Sequence, residues 1–268
     1  MCKVTVAMAV HDAIPPRYAS EAIESILNQT FKDLGISIVV DGSVNEKLSR
    51  VLAGYADLDK RVRILSNEKS LGLPACLNRI IETTDSDYVA RMDADDVSLP
   101  ERIQRQIDFL EGHPQTDLVG TFAYEIDEEG RVLFRKKMPI NSADVRRLTP
   151  RRNPFIHPTV VFRRRFFDKA GLYRSGFPLT EDLELWIRAL AQGIEGSNIP
   201  EFLYQFRIDK RFWSRRRGFA FALAETRLRV GSIRRLGLPA YNYLFPPAQF
   251  MFRMSPAPVL RFMYEHFR

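Results

Sequence analysis

Tyr88-Val89-Ala90-Arg91-Met92-Asp93-Ala94-Asp95-Asp96 begins as an apolar run and ends in three carboxylates. The apolar part reads as a buried strand, since strands covered on both faces are near-continuous hydrophobic runs. If Asp93 and Asp95 are extended, alternation along the strand points both carboxylates to one side, where they can hold one hard divalent cation. Leu99-Pro100-Glu101 then opens a helix, because proline suits a first turn and glutamate complements the positive helix end. Strand, acidic tip and helix in that order match an open α/β sheet, which takes its ligand beyond the carboxyl ends of its strands. Taken alone, the tip reads first as an acidic, solvated loop, and the rest of the chain has to decide.

Working outward, the same alternation recurs. Val4 to Val10 reads as a strand, Tyr18 to Gln29 as a helix with Ala22, Ile23, Ile26 and Leu27 at three-to-four spacing, and Ile36 to Val40 as a second strand. Leu48 to Tyr55 is helical, Val62 to Leu65 a short strand, and Gly72 to about Glu82 a helix leading into the quoted stretch. This pattern predicts a mostly parallel sheet with helices on both faces. After Gln115 the pattern changes. Leu118 to Ile126 and Arg131 to Lys136 read as a hairpin around Glu128-Glu129-Gly130, Asp144 to Leu148 as a short helix, and Thr159 to Phe162 as a strand. Glu181 to Ala191 reads as a helix, Phe202 to Arg207 as extended, and Phe212 to Leu236 as a long arginine-rich amphipathic helix.

Composition narrows the class. The 268 residues are 45% hydrophobic with 16 prolines, which is a globular composition rather than a disordered one. Cys2 and Cys76 give no disulfide framework, so a reducing, cytoplasmic compartment is expected. The apolar part of the first strand is too short for a signal peptide, and no run of about 20 apolar residues is present to span a bilayer. The net charge of +7 is uneven: from Glu201 onward there are 13 Lys and Arg against 4 Asp and Glu, a net +9, leaving −2 on the first 200 residues. A basic C-terminal quarter fits a solvated helix face, anionic lipid or nucleic acid. Phe219, Leu223, Leu228, Val230 and Ile233 can share its apolar face, which suits membrane contact or packing on the preceding domain equally.

Other constellations are weaker singly. Asp41 follows Val39-Val40 and precedes Gly42-Ser43, where a carboxylate can accept a ligand N–H or simply cap a turn. Thr180-Glu181-Asp182 starts a helix, which stabilises carboxylates there but also suits a general base. His157, between Ile156 and Pro158, is one of four histidines, and no His/Cys cluster has zinc spacing. The chain lacks the phosphate-cradling and dinucleotide glycine signatures and the serine nucleophile elbow.

As a set, these residues resemble the inverting family-2 glycosyltransferases of GT-A fold. The resemblance is carried by Glu21 to Thr30, Val40-Asp41-Gly42-Ser43, Gly72-Leu73 with Leu77-Asn78, Ala90 to Asp96 with Leu99 to Arg102, Arg151 to Phe155, His157 to Val160, and Glu181 to Trp186. Arg151-Arg152-Asn153-Pro154-Phe155 and Phe177-Pro178-Leu179 look most like the bacterial exopolysaccharide enzymes of the amylovoran-biosynthesis type. The resemblance implies a catalytic domain over 1–210, with a nucleotide-sugar half over 1–115 and an acceptor half over 116–210, and a helical basic extension over 211–268. It implies a nucleotide-sugar site of Val10, Asp41, Arg91, Asp93 and Asp95, with Asp95 as main ligand to Mn²⁺ or Mg²⁺. Asp182 would be the general base, and Glu181 and His157 would line the donor or acceptor side. One departure is that Val40 stands where much of the family has a first aspartate before Gly-Ser. The activity implied is hexosyl transfer from a UDP-sugar to a saccharide or lipid-linked saccharide in surface polysaccharide synthesis, near the cytoplasmic membrane face and without nucleic acid. The competing reading is a basic membrane- or nucleic-acid-binding module on a non-catalytic α/β scaffold. Nucleotidyl transfer is disfavoured because His11 to Pro16 contains no glycine.

Overall fold

The chain begins with β1 (Val4–Val10), α1 (Pro16–Leu27), β2 (Leu34–Asp41), α2 (Glu46–Leu58), β3 (Val62–Asn67), α3 (Leu73–Glu82) and β4 (Tyr88–Asp93). In this computed structural model, residues 2–209, 212, 216–256, 258–259 and 262 are described. The four strands lie parallel in the order β3-β2-β1-β4. Strand alternation divides their side chains between two covers. Val6, Met8, Ile36 and Ile38 meet Ala22, Ile23 and Ile26 of α1 and Leu48 and Leu52 of α2. Ala7, Val39 and Val89 meet Cys76, Leu77, Ile80 and Ile81 of α3 on the opposite face. β1, β2 and β4 are covered on both faces and are mainly apolar, while the edge strand β3 exposes Arg63 and Ser66.

Beyond the tip come β5 (Val97–Ser98), α4 (Arg102–Gly112), β6 (Thr116–Ile126), β7 (Val132–Lys136), α5 (Ser142–Leu148), β8 (Val161–Arg163), α6 (Arg165–Ala170), α7 (Glu181–Ala191) and β9 (Glu195–Arg207). The central four strands are parallel as expected, and in this part the sheet becomes mixed. β8 pairs antiparallel with both β4 and β6, β5 pairs antiparallel with β9, β7 forms the expected hairpin with β6, and only β6–β9 is parallel. The short strands β5 and β8 return antiparallel to their neighbours, a pairing that needs no crossover, while the long β6 and β9 pair parallel. The halves expected at 1–115 and 116–210 therefore share one sheet.

Two polar side chains lock α4 against the strand that carries the tip. Gln29 is fully buried. Its amide donates to the Leu99 carbonyl at 2.8 Å and to Ser98 Oγ at 3.2 Å, and its oxygen accepts the Ile103 amide at 3.0 Å. Arg102, also fully buried, donates from Nη2 to the Arg91 carbonyl at 2.6 Å and from Nε to Gln106 at 3.0 Å, with Tyr204 under its guanidinium. Burial without a carboxylate partner pulls the Arg102 pKa down to about 10.

The C-terminal part departs from its expected face. Part of the helix expected from Phe212 falls on residues outside those described; α8 (Phe219–Arg235) starts after Gly218, whose φ of 99° ends any continuous helix there. Its inward face is Ala222, Glu225, Arg229, Ser232 and Ile233, while Phe219 and Val230 are exposed. The face is polar because Glu225 is clasped by Arg229 at 2.7 Å and by Arg253 of α9 (Phe245–Met254) at 2.8 Å. Arg229 also reaches the Thr149 carbonyl at 2.9 Å, and Arg146 the Leu236 carbonyl at 2.8 Å. Leu236 sits in the same apolar cluster as Trp186. α8 is thus packed on the catalytic fold. Among the described residues, no helix is long and apolar enough to cross a membrane.

Candidate active site

The tip is a turn rather than an extended strand: β4 stops at Asp93, and Ala94 to Asp96 bend. The carboxylates of Asp93, Asp95 and Asp96 nevertheless converge, each offering an oxygen within 4.8 Å of the others. Asp93 is held by Arg91 Nη2 at 2.6 Å. Asp96 is buried, accepts the Arg207 amide at 2.7 Å, and has the Tyr204 hydroxyl beside it. Burial and then the Asp93 charge push the Asp95 carboxyl up to about 7. Burial, Asp95 and Asp93 drive Asp96 well above the carboxylate range. Three hard oxygen donors converge here, and burial followed by carboxylate repulsion, which disfavours the charged forms of Asp95 and Asp96, is what a divalent cation relieves, so the residues fit Mn²⁺ or Mg²⁺.

Sequence reading missed what holds the tip. Arg207, at the end of β9, donates from Nε to the Asp95 carbonyl at 2.8 Å, from Nη1 to the Asp127 and Glu128 carbonyls at 3.1 and 3.2 Å, and from Nη2 to Glu21 at 2.7 Å. Its guanidinium lies 4.1 Å from the Tyr18 ring centroid. The hydroxyl of Tyr204, three residues earlier on β9, accepts the Asp93 amide at 3.3 Å. Neither residue carries a local signal, because each acts on a segment over a hundred positions away.

Asp41 ends β2 and is 8% exposed. Its Oδ1 accepts from Asn67 at 2.9 Å and the Leu71 amide at 2.8 Å; its Oδ2 accepts from Ser70 at 2.8 Å and the Gly72 amide at 2.9 Å. Burial alone would raise its pKa, but these donors, led by the Leu71 amide, outweigh it and hold the carboxyl at about 2. Gly42 is required beside it: its φ is 84°, and a Cβ would meet the Ser70 amide nitrogen at 3.0 Å. Asp41 thus shapes the 67–72 loop in front of α3. Val10 is 0% exposed in the core and offers no surface to a ligand.

Arg91 is buried at 4% exposure and reaches the cleft through Asp93. Its positive field acts on Asp95, His157, Glu181 and Asp182, so it is close enough to influence both acidic groups. Its Nε and Nη1 have no hydrogen-bond partner. Asp182 and Glu181 open α7 as expected. Asp182 accepts the Leu183 amide at 2.6 Å and is bonded by Asn153, which accounts for the asparagine in Arg151 to Phe155. Burial raises the Asp182 pKa, and burial with the Asp182 charge lifts Glu181 to about 7. His157 lies under this floor. It is 8% exposed, sits 2.8 Å from the Tyr173 hydroxyl, and is edge-on to Trp186. Burial, then Arg91, drives its pKa well below the imidazole range, so it is a neutral strut. Tyr173 is tied in turn to Asn78 by two backbone bonds of 2.9 Å.

A three-layer nucleotide-type α/β half, an acidic tip at its strand ends and a second carboxylate pair across the cleft define a GT-A-type glycosyltransferase. The family model "Glycosyl transferase family 2" matches residues 5–171, and the chain belongs to that family. It is 33% identical over 266 residues, 97% of each chain, to the amylovoran biosynthesis glycosyltransferase AmsE of Erwinia amylovora. It is 30% identical over 224 residues, 83% of this chain and 80% of the other, to the UDP-Gal:alpha-D-GlcNAc-diphosphoundecaprenol beta-1,3-galactosyltransferase of Escherichia coli. Among solved structures, the mannosyltransferase PcManGT of Pyrobaculum calidifontis in complex with GDP-Man and Mn²⁺ superposes with a TM-score of 0.68 at 14% identity, covering 100% of this chain and 76% of that one. S. aureus TarS 1–349 with UDP-GlcNAc gives 0.65 at 13% identity, covering 96% and 82%. At these identities the structures establish the fold.

Proposed function

We propose that the protein is an inverting, metal-dependent glycosyltransferase that moves a hexosyl unit from a UDP-sugar to a lipid-linked saccharide during surface polysaccharide synthesis. The observation that carries the reading is the convergence of Asp93, Asp95 and Asp96, with Arg91 acting on that cluster and on Glu181 and Asp182 as well. The relatives named for amylovoran and for diphosphoundecaprenol-linked chemistry support the acceptor class, and PcManGT with Mn²⁺ supports the cation. The setting is the cytoplasm, with donor and acceptor as partners and no nucleic acid.

Asp95 and Asp93 would hold Mn²⁺ or Mg²⁺, which when bound supplies Lewis-acid stabilisation of a departing nucleoside diphosphate. Arg91 orients Asp93 and offsets part of the negative charge of the neighbouring carboxylates. Asp182 takes the proton of the acceptor hydroxyl on a carboxylate oxygen. Its raised pKa makes it a stronger base than an exposed aspartate, and Asn153 with the Leu183 amide fixes its plane. One displacement with the base opposite the leaving group inverts the anomeric centre, as in inverting glycoside hydrolysis. Asp41 serves the base end of the donor by ordering the 67–72 loop. Calorimetric titration of UDP with Mn²⁺ should give binding in the parent and none in Asp95→Ala. Asp182→Ala should still bind UDP but lose sugar transfer by at least about a hundredfold. A parent that binds no UDP sinks the reading.

A further inference from the structure

The loop that delivers Asp182 also walls a groove that the chemistry above leaves unused. Pro178, Leu179, Phe219, Phe221 and Ala224 line a cavity of about 410 Å³, with Arg217 at its edge. Leu179 has its backbone in the left-handed region, with φ 61°, and its side chain is 44% exposed. Such a conformation in leucine is uncommon and marks a segment held by its surroundings. A second cavity of about 270 Å³ continues along the same helix face from Ala224 to Leu228, Gly231 and Arg235, under Gly176 and Phe177. Ala224 belongs to both, so the two form one furrow along α8, within the volume range of about 300–1,000 Å³ typical of ligand sites. Small residues on the floor and aromatic rings on the wall shape it for a narrow apolar chain.

Its charge is one-sided. Arg217, Arg227 and Arg235 stand along it, and none has a carboxylate partner among the described residues. At the end nearest Asp182, α8 begins at Gly218 with no side-chain cap and no acidic residue in its first turn, and the Gly218 amide donates to the Arg253 carbonyl at 3.1 Å. Arg216, beside this point, acts electrostatically on both Glu181 and Asp182, which fixes that end of the furrow next to the base.

We propose that this furrow is the seat of the acceptor's lipid diphosphate: the diphosphate at Arg217 and the α8 start, the isoprenoid chain along Phe219, Phe221, Ala224 and Leu228. The order along the furrow is then acceptor sugar at Asp182, phosphate at Arg217, hydrocarbon beyond. This rests on the glycosyltransferase reading for its direction, and it deepens that reading by naming residues for the acceptor. Apolar floor and cationic edge complement one amphiphile with an anionic head.

The test is calorimetry on the full chain with farnesyl diphosphate as probe, with and without saturating UDP and Mn²⁺. Farnesyl diphosphate should bind in both conditions, and inorganic diphosphate and farnesol should each bind at least tenfold more weakly. Ala224→Trp, which fills the furrow at a partly exposed position, and Arg217→Glu should each weaken farnesyl diphosphate at least tenfold. Melting curves check that both variants fold, and Arg217→Glu lies at an exposed site that tolerates the change. Three results overturn the proposal: no binding of farnesyl diphosphate, binding indifferent to both substitutions, or displacement by UDP. A change of oligomeric state on Ala224→Trp also overturns it, since the furrow would then be covered by a second copy. Loss of UDP binding in the parent strikes the glycosyltransferase reading and leaves the probe titrations to be read separately.

Discussion

Replacing Asp41 by asparagine tests how much the saturated carboxylate at the end of β2 contributes. The isosteric amide keeps one oxygen and turns an NH₂ toward either the Asn67 and Leu71 donors or the Ser70 and Gly72 donors, so two of four hydrogen bonds are lost. The carboxyl falls from 3.8 to about 2 on folding. A depressed folded-state pKa gives stability that is fully present above the unfolded value and is lost as pH falls through the folded one. The difference corresponds to roughly 2.5 kcal/mol at pH 7, falling to about half of that by pH 3. Urea unfolding of parent and Asp41→Asn should therefore show a gap of roughly 2.5 kcal/mol at neutral pH, a melting shift of about 5–10 °C, and a gap that narrows between pH 5 and pH 3. A gap below about 0.5 kcal/mol at pH 7, or one flat from pH 7 to pH 3, would refute the assignment of Asp41 as the anchor of the 67–72 loop.

Arg207→Ala removes the donors to the Asp95, Asp127 and Glu128 carbonyls; with the half-exposed Glu21 pair discounted, the loss should be about 2–4 kcal/mol in chemical denaturation, with Mn²⁺-dependent UDP binding weakened more than tenfold. Arg207→Lys should recover little of either, because one ammonium cannot span that fork of acceptors. Glu225→Gln leaves Arg229 and Arg253 without their shared carboxylate, which is held at about 2 by those cations against burial, and should cost about 3 kcal/mol. Hydrogen exchange should then quicken in α8 and α9 while β1 to β4 stay protected, and uniform protection would contradict that role.

The parallel half of the fold was legible because each strand is apolar on both faces and each helix carries a spaced apolar stripe; Glu181 to Ala191 matched to the residue. The later strands were only partly legible. β8 is three residues long, and β9 runs from Glu195 through a polar stretch before Phe202, so its first half had no alternation to read. The face of α8 was misread because burial there is settled by Glu225 with two arginines, which pattern reading assigns to solvent. In the site, Asp93, Asp95, Asp182 and Glu181 were identifiable as carboxylates at element ends. Their supports were not: Arg207 and Tyr204 act across more than a hundred residues and Asn153 across 29, and none of these leaves a local spacing. His157 illustrates the reverse: the resemblance implies a place on the donor or acceptor side, and its ring is buried against Tyr173 and Trp186.

The Arg207 clasp has a consequence for how the protein comes into being. Arg207 follows Asp95 by 112 residues. At a synthesis rate of about 5–20 residues per second, the tip waits roughly 6–20 s on the ribosome for the residue that fastens it. In that interval β1 to β4 can already pair, but β5 has no β9 beside it and the Asp95 carbonyl has no cation. The fixed geometry of the acidic tip is thus a late-maturing property of a chain whose parallel strands are finished early, and a nascent protein stalled before β9 would hold Asp93, Asp95 and Asp96 without the residue that fastens them.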